Sequence, residues 1–137
     1  MRAGRIHFTV SGVAQGLSGD PTTELRIPPA TVSIDSATLT ARPGDLDIMV
    51  SGFDNTYSAG SMSFTFYDGS GNAINPGTIQ ANFAQQFATY FIQSQSGSAF
   101  LMRVTFPLSG AIAGIPSVDV TLQNSAGSAT IQKLILQ

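Results

Sequence analysis

An all-β antiparallel sandwich with one short inserted helix, preceded by a β-hairpin appendage, is the fold class that this sequence predicts. Three observations carry it. Apolar and polar residues alternate in short runs along nearly the whole chain, the period-two pattern of strands with one buried face. Clusters of Gly, Pro, Asn and Asp separate the runs, supplying the backbone conformations that turns need. One stretch alone switches to helical spacing.

In "RIHFTV", Ile6, Phe8 and Val10 share one face while Arg5, His7 and Thr9 share the other. The run "TTELRIPP" sets Leu25 and Ile27 on one face and stops at Pro28 and Pro29, which cannot continue a ladder. With the glycine-rich stretch between them, the two runs predict a hairpin with a long loop. "ATVSIDSATLTA" then places Val32, Ile34 and Leu39 in one or two short strands. "GDLDIMVSGFD" alternates Leu46, Ile48 and Val50 against Asp45, Asp47, Met49 and Ser51. "GSMSFTFYDGSGNAI" repeats the pattern with Met62, Phe64 and Phe66 and turns through Asp68 to Asn72, and a further strand includes Ile79.

The helix is read from "NFAQQFATYFIQSQSG", where Phe87, Tyr90 and Phe91 follow Phe83 at offsets of four, seven and eight, an amphipathic stripe. Asn82 suits the N-cap with Gln85 three residues on, and Gly97 suits the stop. This predicts a helix at about 82–94, roughly three turns long, covering one open end of the sheets.

Strand patterns return in "SAFLMRVTFPLSG" and in "IPSVDVTLQNSAGSATIQKLILQ". In the latter, Val118, Val120 and Leu122 alternate before the "NSAG" turn, and Ile131 and the apolar run Leu134 to Leu136 follow it. This closing hairpin matches the opening stretch in pattern, so both are read as one structural element occurring twice. Residues 1–30 are therefore expected to be the last two strands of a preceding module, and residues 31–137 a sandwich domain. On this reading the chain is an excised part of a tandem array, with Met1 an added start codon.

Three stretches, "PPATVSIDSATLT", "VSGFDN" and "SVDVTLQNSAGSATI", resemble the immunoglobulin-like or fibronectin-type-III-like β-sandwich modules of large secreted bacterial surface proteins. The helix at 82–94 and the lack of a cysteine pair and core tryptophan depart from antibody-type domains. The resemblance implies a spacer or adhesion element and brings no catalytic residues.

Length and composition narrow the function classes. At 137 residues the chain suits one full domain plus an appendage. Charged residues make up 10% of it, against about 25% in soluble proteins generally, so its surface is polar but weakly charged. The net charge is -2, and Arg2, Arg5, Arg26, Arg42, Arg103 and Lys133 are scattered singly. That distribution forms no basic stripe for a phosphate backbone. Without cysteine there is no disulfide, thiolate catalysis or thiolate-bound zinc. No apolar run approaches the roughly 20 residues that cross a bilayer as a helix.

Candidate chemistry is sparse. His7 is the only histidine, so one chain cannot build a two-histidine zinc site, and no G-x-S-x-G elbow precedes a helix. "DGSGNA" offers Asp68, Ser70 and Asn72 to a cation, but Ala73 stands where a calcium loop needs glycine and Ile79 where it needs a bidentate Glu. Asp45 and Asp47 read as solvated acids, although they could join a second carboxylate site. Glu24 is the only glutamate, which weakens a glycosidase reading. Tyr57, Tyr67 and Tyr90 could stack on sugars, or serve as sandwich-edge and helix-face residues. Lys133 shares a strand face with Ile131 and Ile135 and could point inward toward an Asn or Asp partner, or snorkel at the surface.

The functional expectation is a non-catalytic structural module, extracellular or at the cell surface, with no metal or cofactor. Self-association is assigned to Ile6, Phe8, Val10, Leu25 and Ile27, because a hairpin with one apolar face is marginal in water by itself. Added in trans to the edge of another copy, it joins two different surfaces and yields a ring or filament. Docked in cis, it would extend the sandwich of its own chain. The partners expected are further copies in a homo-oligomer or head-to-tail polymer, and neighbouring modules of a parent chain. Nucleic acid and membrane insertion are not expected. The class-distinct alternative is a glycan- or protein-binding adhesion module.

Overall fold

A computed structural model describes residues 1–10, 22–108 and 114–137. The glycine-rich stretch between the first two strands lies outside the described residues. Strands β1 (Gly4–Thr9) and β2 (Thr22–Ile27) form a two-stranded sheet of their own. Strands β3 (Ser33–Arg42), β4 (Asp45–Phe53) and β7 (Ala99–Pro107) form a second sheet in the order β3-β4-β7. A third holds β5 (Ser61–Tyr67), β6 (Ala73–Asn82), β8 (Ser117–Asn124) and β9 (Gly127–Ile135) in the order β6-β5-β8-β9. All named strand pairs are antiparallel.

The alternating residues of the two larger sheets meet in one core, which makes this an all-β sandwich with one short helix. Leu46, Ile48 and Val50 of β4, Met62, Phe64 and Phe66 of β5, and Val118, Val120 and Leu122 of β8 are all buried there. The Phe64 ring meets Phe106 of β7 edge-on at 4.9 Å, and Phe66 meets the same ring at 5.1 Å. Along one side, β3 and β9 close the sandwich, with a bridge between Leu39 and Leu136.

Between β6 and β7 runs α1 (Ala84–Gln93), shorter than the sequence spacing predicts. Phe83 holds the N-cap position, and Asn82 serves one residue earlier, its Oδ1 accepting the Ala84 N–H at 2.9 Å. Gln85 makes no reciprocal cap bond. The apolar stripe behaves as expected: Phe87 and Phe91 are buried, Phe87 meeting Phe100 edge-on at 5.3 Å and Phe91 stacking on Tyr57 at 4.5 Å.

At Gly52, β4 leaves no room for a side chain against β3. A Cβ at this position would lie 2.0 Å from the Ser33 carbonyl oxygen and 2.7 Å from the Phe100 ring. The register of β3 on β4 shifts next to this contact, between Ile34 and Ser36. Gly52→Ala must push back a backbone carbonyl, and overpacking of this kind costs about 2–3 kcal/mol. Urea unfolding is expected to show that loss; a change below about 0.5 kcal/mol, the scale of an ordinary surface substitution, would mean that β3 yields freely.

Candidate functional site

The five apolar residues assigned to self-association lie on or beside the first hairpin. Its register pairs Gly4 with Ile27, Ile6 with Leu25 and Phe8 with Thr23. Since side chains alternate across a strand, Ile6, Phe8, Leu25 and Ile27 fall on one face. Val10 follows the last pair, Thr9 with Thr22. Phe8 is 48% and Leu25 52% exposed, Val10 more so, while Ile6 and Ile27 are half-covered. The opposite face carries Arg5, His7, Glu24 and Arg26. There Glu24 forms an ion pair with Arg5 at 3.3 Å and lies 3.6 Å from His7, all three side chains exposed.

Neither hairpin strand pairs with a strand of the sandwich. The hairpin is held instead at its root, by side chains that come from two separate places in the chain. Asn55, after β4, accepts the Ala30 N–H on Oδ1 and donates from Nδ2 to the Pro28 carbonyl, each at 2.9 Å. Its own carbonyl accepts the Ala3 N–H. Asn124, at the end of β8, donates to the Ala30 carbonyl at 2.9 Å and to Asp54 at 2.8 Å. Its Oδ1 accepts the Ala126 and Gly127 amides that form the β8–β9 turn. The linker at 28–31 is thus bonded on both its N–H and carbonyl sides to the sandwich.

Asp54 is the centre of this joint and is fully buried. Burial pushes its carboxyl up, but the Thr56 hydroxyl, Asn124, and the Ala59 and Thr56 amides all donate to it, and together they hold it below the usual carboxylate range. The Ser58 amide adds a further bond at 2.9 Å. The carboxylate is therefore ionised and saturated with donors. Arg2 completes the root from outside, its guanidinium 4.9 Å over the ring of Tyr57. The strand patterns in "VSGFDN" and "NSAG" are visible in sequence, but the meeting of their side chains with the linker depends on the fold. One local signal is present: Asp54 followed by Thr56 and Ser58 is the spacing at which Asp bonds the backbone just ahead of it.

The other candidate residues are occupied within the fold. Asp47 is a correction to the solvated reading: it is 6% exposed, covered on the outer face of its sheet by Arg42 and Arg103. Both guanidiniums reach Oδ2, and Thr105 donates to Oδ1 at 2.7 Å. Asp68 turns its carboxylate onto the Ser70 and Asn72 amides of its own loop, bonds that hold it below the usual carboxylate range. Tyr67 donates to Asp119, which pushes its hydroxyl up. Tyr90 meets Phe91 edge-on at 5.6 Å.

Lys133 points outward, its ammonium 5.6 Å from the Tyr67 ring. A bulge opposite Asp119 is the cause: Val118 pairs with Leu134 but Val120 with Ile131. Lys133 takes φ +49° there, and its N–H donates to Asp119 at 2.6 Å. The extra residue returns Leu134 and Leu136 to the core side.

Among the described residues no cluster of three or more His, Cys, Asp or Glu could hold a metal, and no helix is long and apolar enough to cross a membrane. No protein-family model matches the chain, and no curated protein matches it.

Proposed function

We propose that the chain is a non-catalytic structural module of an extracellular or cell-surface bacterial protein, which self-associates head to tail through its N-terminal hairpin by strand addition. The observation that carries this reading is an apolar hairpin face left uncovered by its own sandwich and held away from it by a bonded joint. Phe8 and Leu25 stay about half-exposed, whereas a hairpin folded back in cis would hide them.

The energetics favour a strand contact over a face contact. Full burial of Phe8, Val10 and Leu25 contributes about 1.5–3 kcal/mol each, of the same order as the roughly 4–15 kcal/mol lost in association. Ladder hydrogen bonds to a sheet edge add what the side chains lack. Few charges oppose the approach, since only 10% of residues carry one.

Strand order supports the immunoglobulin-like reading of residues 31–137. Lettered in chain order with β6 as C′, the strands give A-B-E in one sheet and C′-C-F-G in the other, the division of A, B and E from C, F and G that such sandwiches use. In a tandem array, the joint at Asn55 and Asn124 would set the angle between one module and the next.

Light scattering on a sizing column, with electron microscopy of the largest fraction, tests the proposal. The full chain is expected to form polymers, and both a version lacking residues 1–30 and the Phe8→Asp, Leu25→Asp double variant are expected to run as monomers. A monomeric full chain would overturn the reading. A saturable thermal shift with a sugar in that monomer would then favour the adhesion-module alternative.

A further inference from the structure

Self-association through the hairpin needs an acceptor edge, and the described strands differ sharply in what they offer. The β6 edge is blunted by Pro76, which has no N–H, and by Gly77 at φ +90°. The β9 edge carries the Lys133 bulge. The β3 edge is irregular at Ile34 and Ser36 and meets the chain end, where the Gln137 N–H donates to the Leu39 carbonyl. Among the described edge strands of the sandwich, only β7 runs without a shift, paired to β4 at every position from Ala99 to Pro107. No described strand lies on its other side. Two of its core-facing residues, Met102 and Phe106, remain half-exposed as an uncovered edge requires. Beside it lies a groove of about 210 Å³ against α1, lined by Phe87, Tyr90, Phe100 and Met102 among others.

Resting on the proposed self-association, we infer that the acceptor is this β7 edge of a second copy, and that β2 is the strand added to it, antiparallel, with Glu24 opposite Arg103. Charge selects β2 over β1. Arg42 and Arg103 share the single carboxylate of Asp47; Arg42 of β3 also stands opposite Asp45, whereas Arg103 of β7 has no carboxylate to itself. β1 would bring only Arg5 and His7 to that face, whereas β2 brings the hairpin's one carboxylate, Glu24, together with Arg26.

The alternation of the two strands then agrees along their whole overlap. With Glu24 opposite Arg103, Arg26 stands opposite Leu101 on the polar side, while Thr23, Leu25 and Ile27 stand beside Val104, Met102 and Phe100 on the core side. The apolar hairpin face continues the sandwich interior past Met102 and reaches the groove at α1. Donor and acceptor are different surfaces, so the contact repeats head to tail.

The absence of cysteine in the chain makes the register directly testable by oxidative cross-linking between separately prepared variants. An Arg26→Cys chain mixed with a Leu101→Cys chain is expected to form covalent dimers at least tenfold faster than the same chain mixed with Gln80→Cys, whose cysteine sits on the β6 edge. Glu24→Gln is expected to weaken assembly about threefold, the scale of a partly exposed ion pair. Preferential linkage to Gln80→Cys, or equal rates for both mixtures, would overturn the β7 assignment while leaving hairpin-driven assembly intact. A full chain that stays monomeric and links to neither partner would overturn both.

Discussion

Replacing Asp54 by alanine is expected to destabilise the sandwich by about 4 kcal/mol at neutral pH, read by urea unfolding. Five donors end on this carboxylate. Those from Thr56 and Ser58 lie near the surface, where water can replace the lost acceptor at little cost. The Ala59 amide and the Asn124 side chain are buried, and stranding a buried donor costs about 1–3 kcal/mol each. Loss of the strong, charge-assisted component adds to this. Asp54→Asn should do little better, because its new N–H group would face the Ser58 and Ala59 amides, donor against donor.

The same residue gives the chain a defined acid sensitivity. An unfolded aspartate titrates at about 3.9, and Asp54 in the folded state lies below its ordinary value. Its contribution is therefore complete above about pH 4 and is lost as the pH falls through the lower, folded value. Unfolding free energies measured from pH 6 down to pH 2 should fall in the native chain and fall less steeply in Asp54→Ala. Parallel profiles for the two would show that the Asp54 bonds contribute nothing to acid stability. Since the joint also holds the linker, the hairpin should loosen in the variant, seen as faster hydrogen exchange at the Ala30 amide.

Most of the fold is legible in sequence because the sandwich core is built from alternation, and alternation is local. Val118, Val120 and Leu122 can be assigned to the core without knowing what they touch, and so can Leu46, Ile48 and Val50. The helix is legible because its apolar stripe is local too, although its start moves to Ala84 once Asn82 uses its side chain one position outside the cap. What fails to show is what depends on a partner far along the chain. Asp47 alternates outward as expected, yet it is buried because Arg103, 56 residues away, lies over it. Lys133 lies at the surface, one of the two placements its sequence allows, but the bulge that turns it there, with Asp119 capturing its amide across the sheet, is not visible in the alternation.

The hairpin and its joint divide along the same line. The apolar face of residues 5–28 is a matter of period and can be read directly. Its separation from the sandwich rests on Asn55 and Asn124, which look in sequence like ordinary turn residues. An asparagine at a strand end is favoured by the turn it starts, so its second task, bonding a linker 25 or 94 residues away, adds no further signal.

Phe64→Ala is expected to cost about 4 kcal/mol, within the range of about 3–5 kcal/mol seen for deleting a buried aromatic ring. Phe64 is fully buried in the middle of β5, between Met62 and Phe66 on its own strand, with Val120 opposite in the β8 register. It also holds one edge of Phe106, whose other ring contact is Phe66. Phe66→Ala should cost less, nearer 2–3 kcal/mol, because Phe66 borders an open groove of about 170 Å³ with Phe106 and Pro107, where neighbours and water can fill the gap. Equal losses would mean that the groove wall is as rigid as the centre. The Phe64 loss should also be independent of protein concentration in the chain lacking residues 1–30. In the full chain, apparent stability should rise with concentration for native and variant alike, because the proposed assembly would select the folded state by mass action. A concentration-independent full chain would place the whole of its stability inside one copy and remove the energetic basis for strand addition.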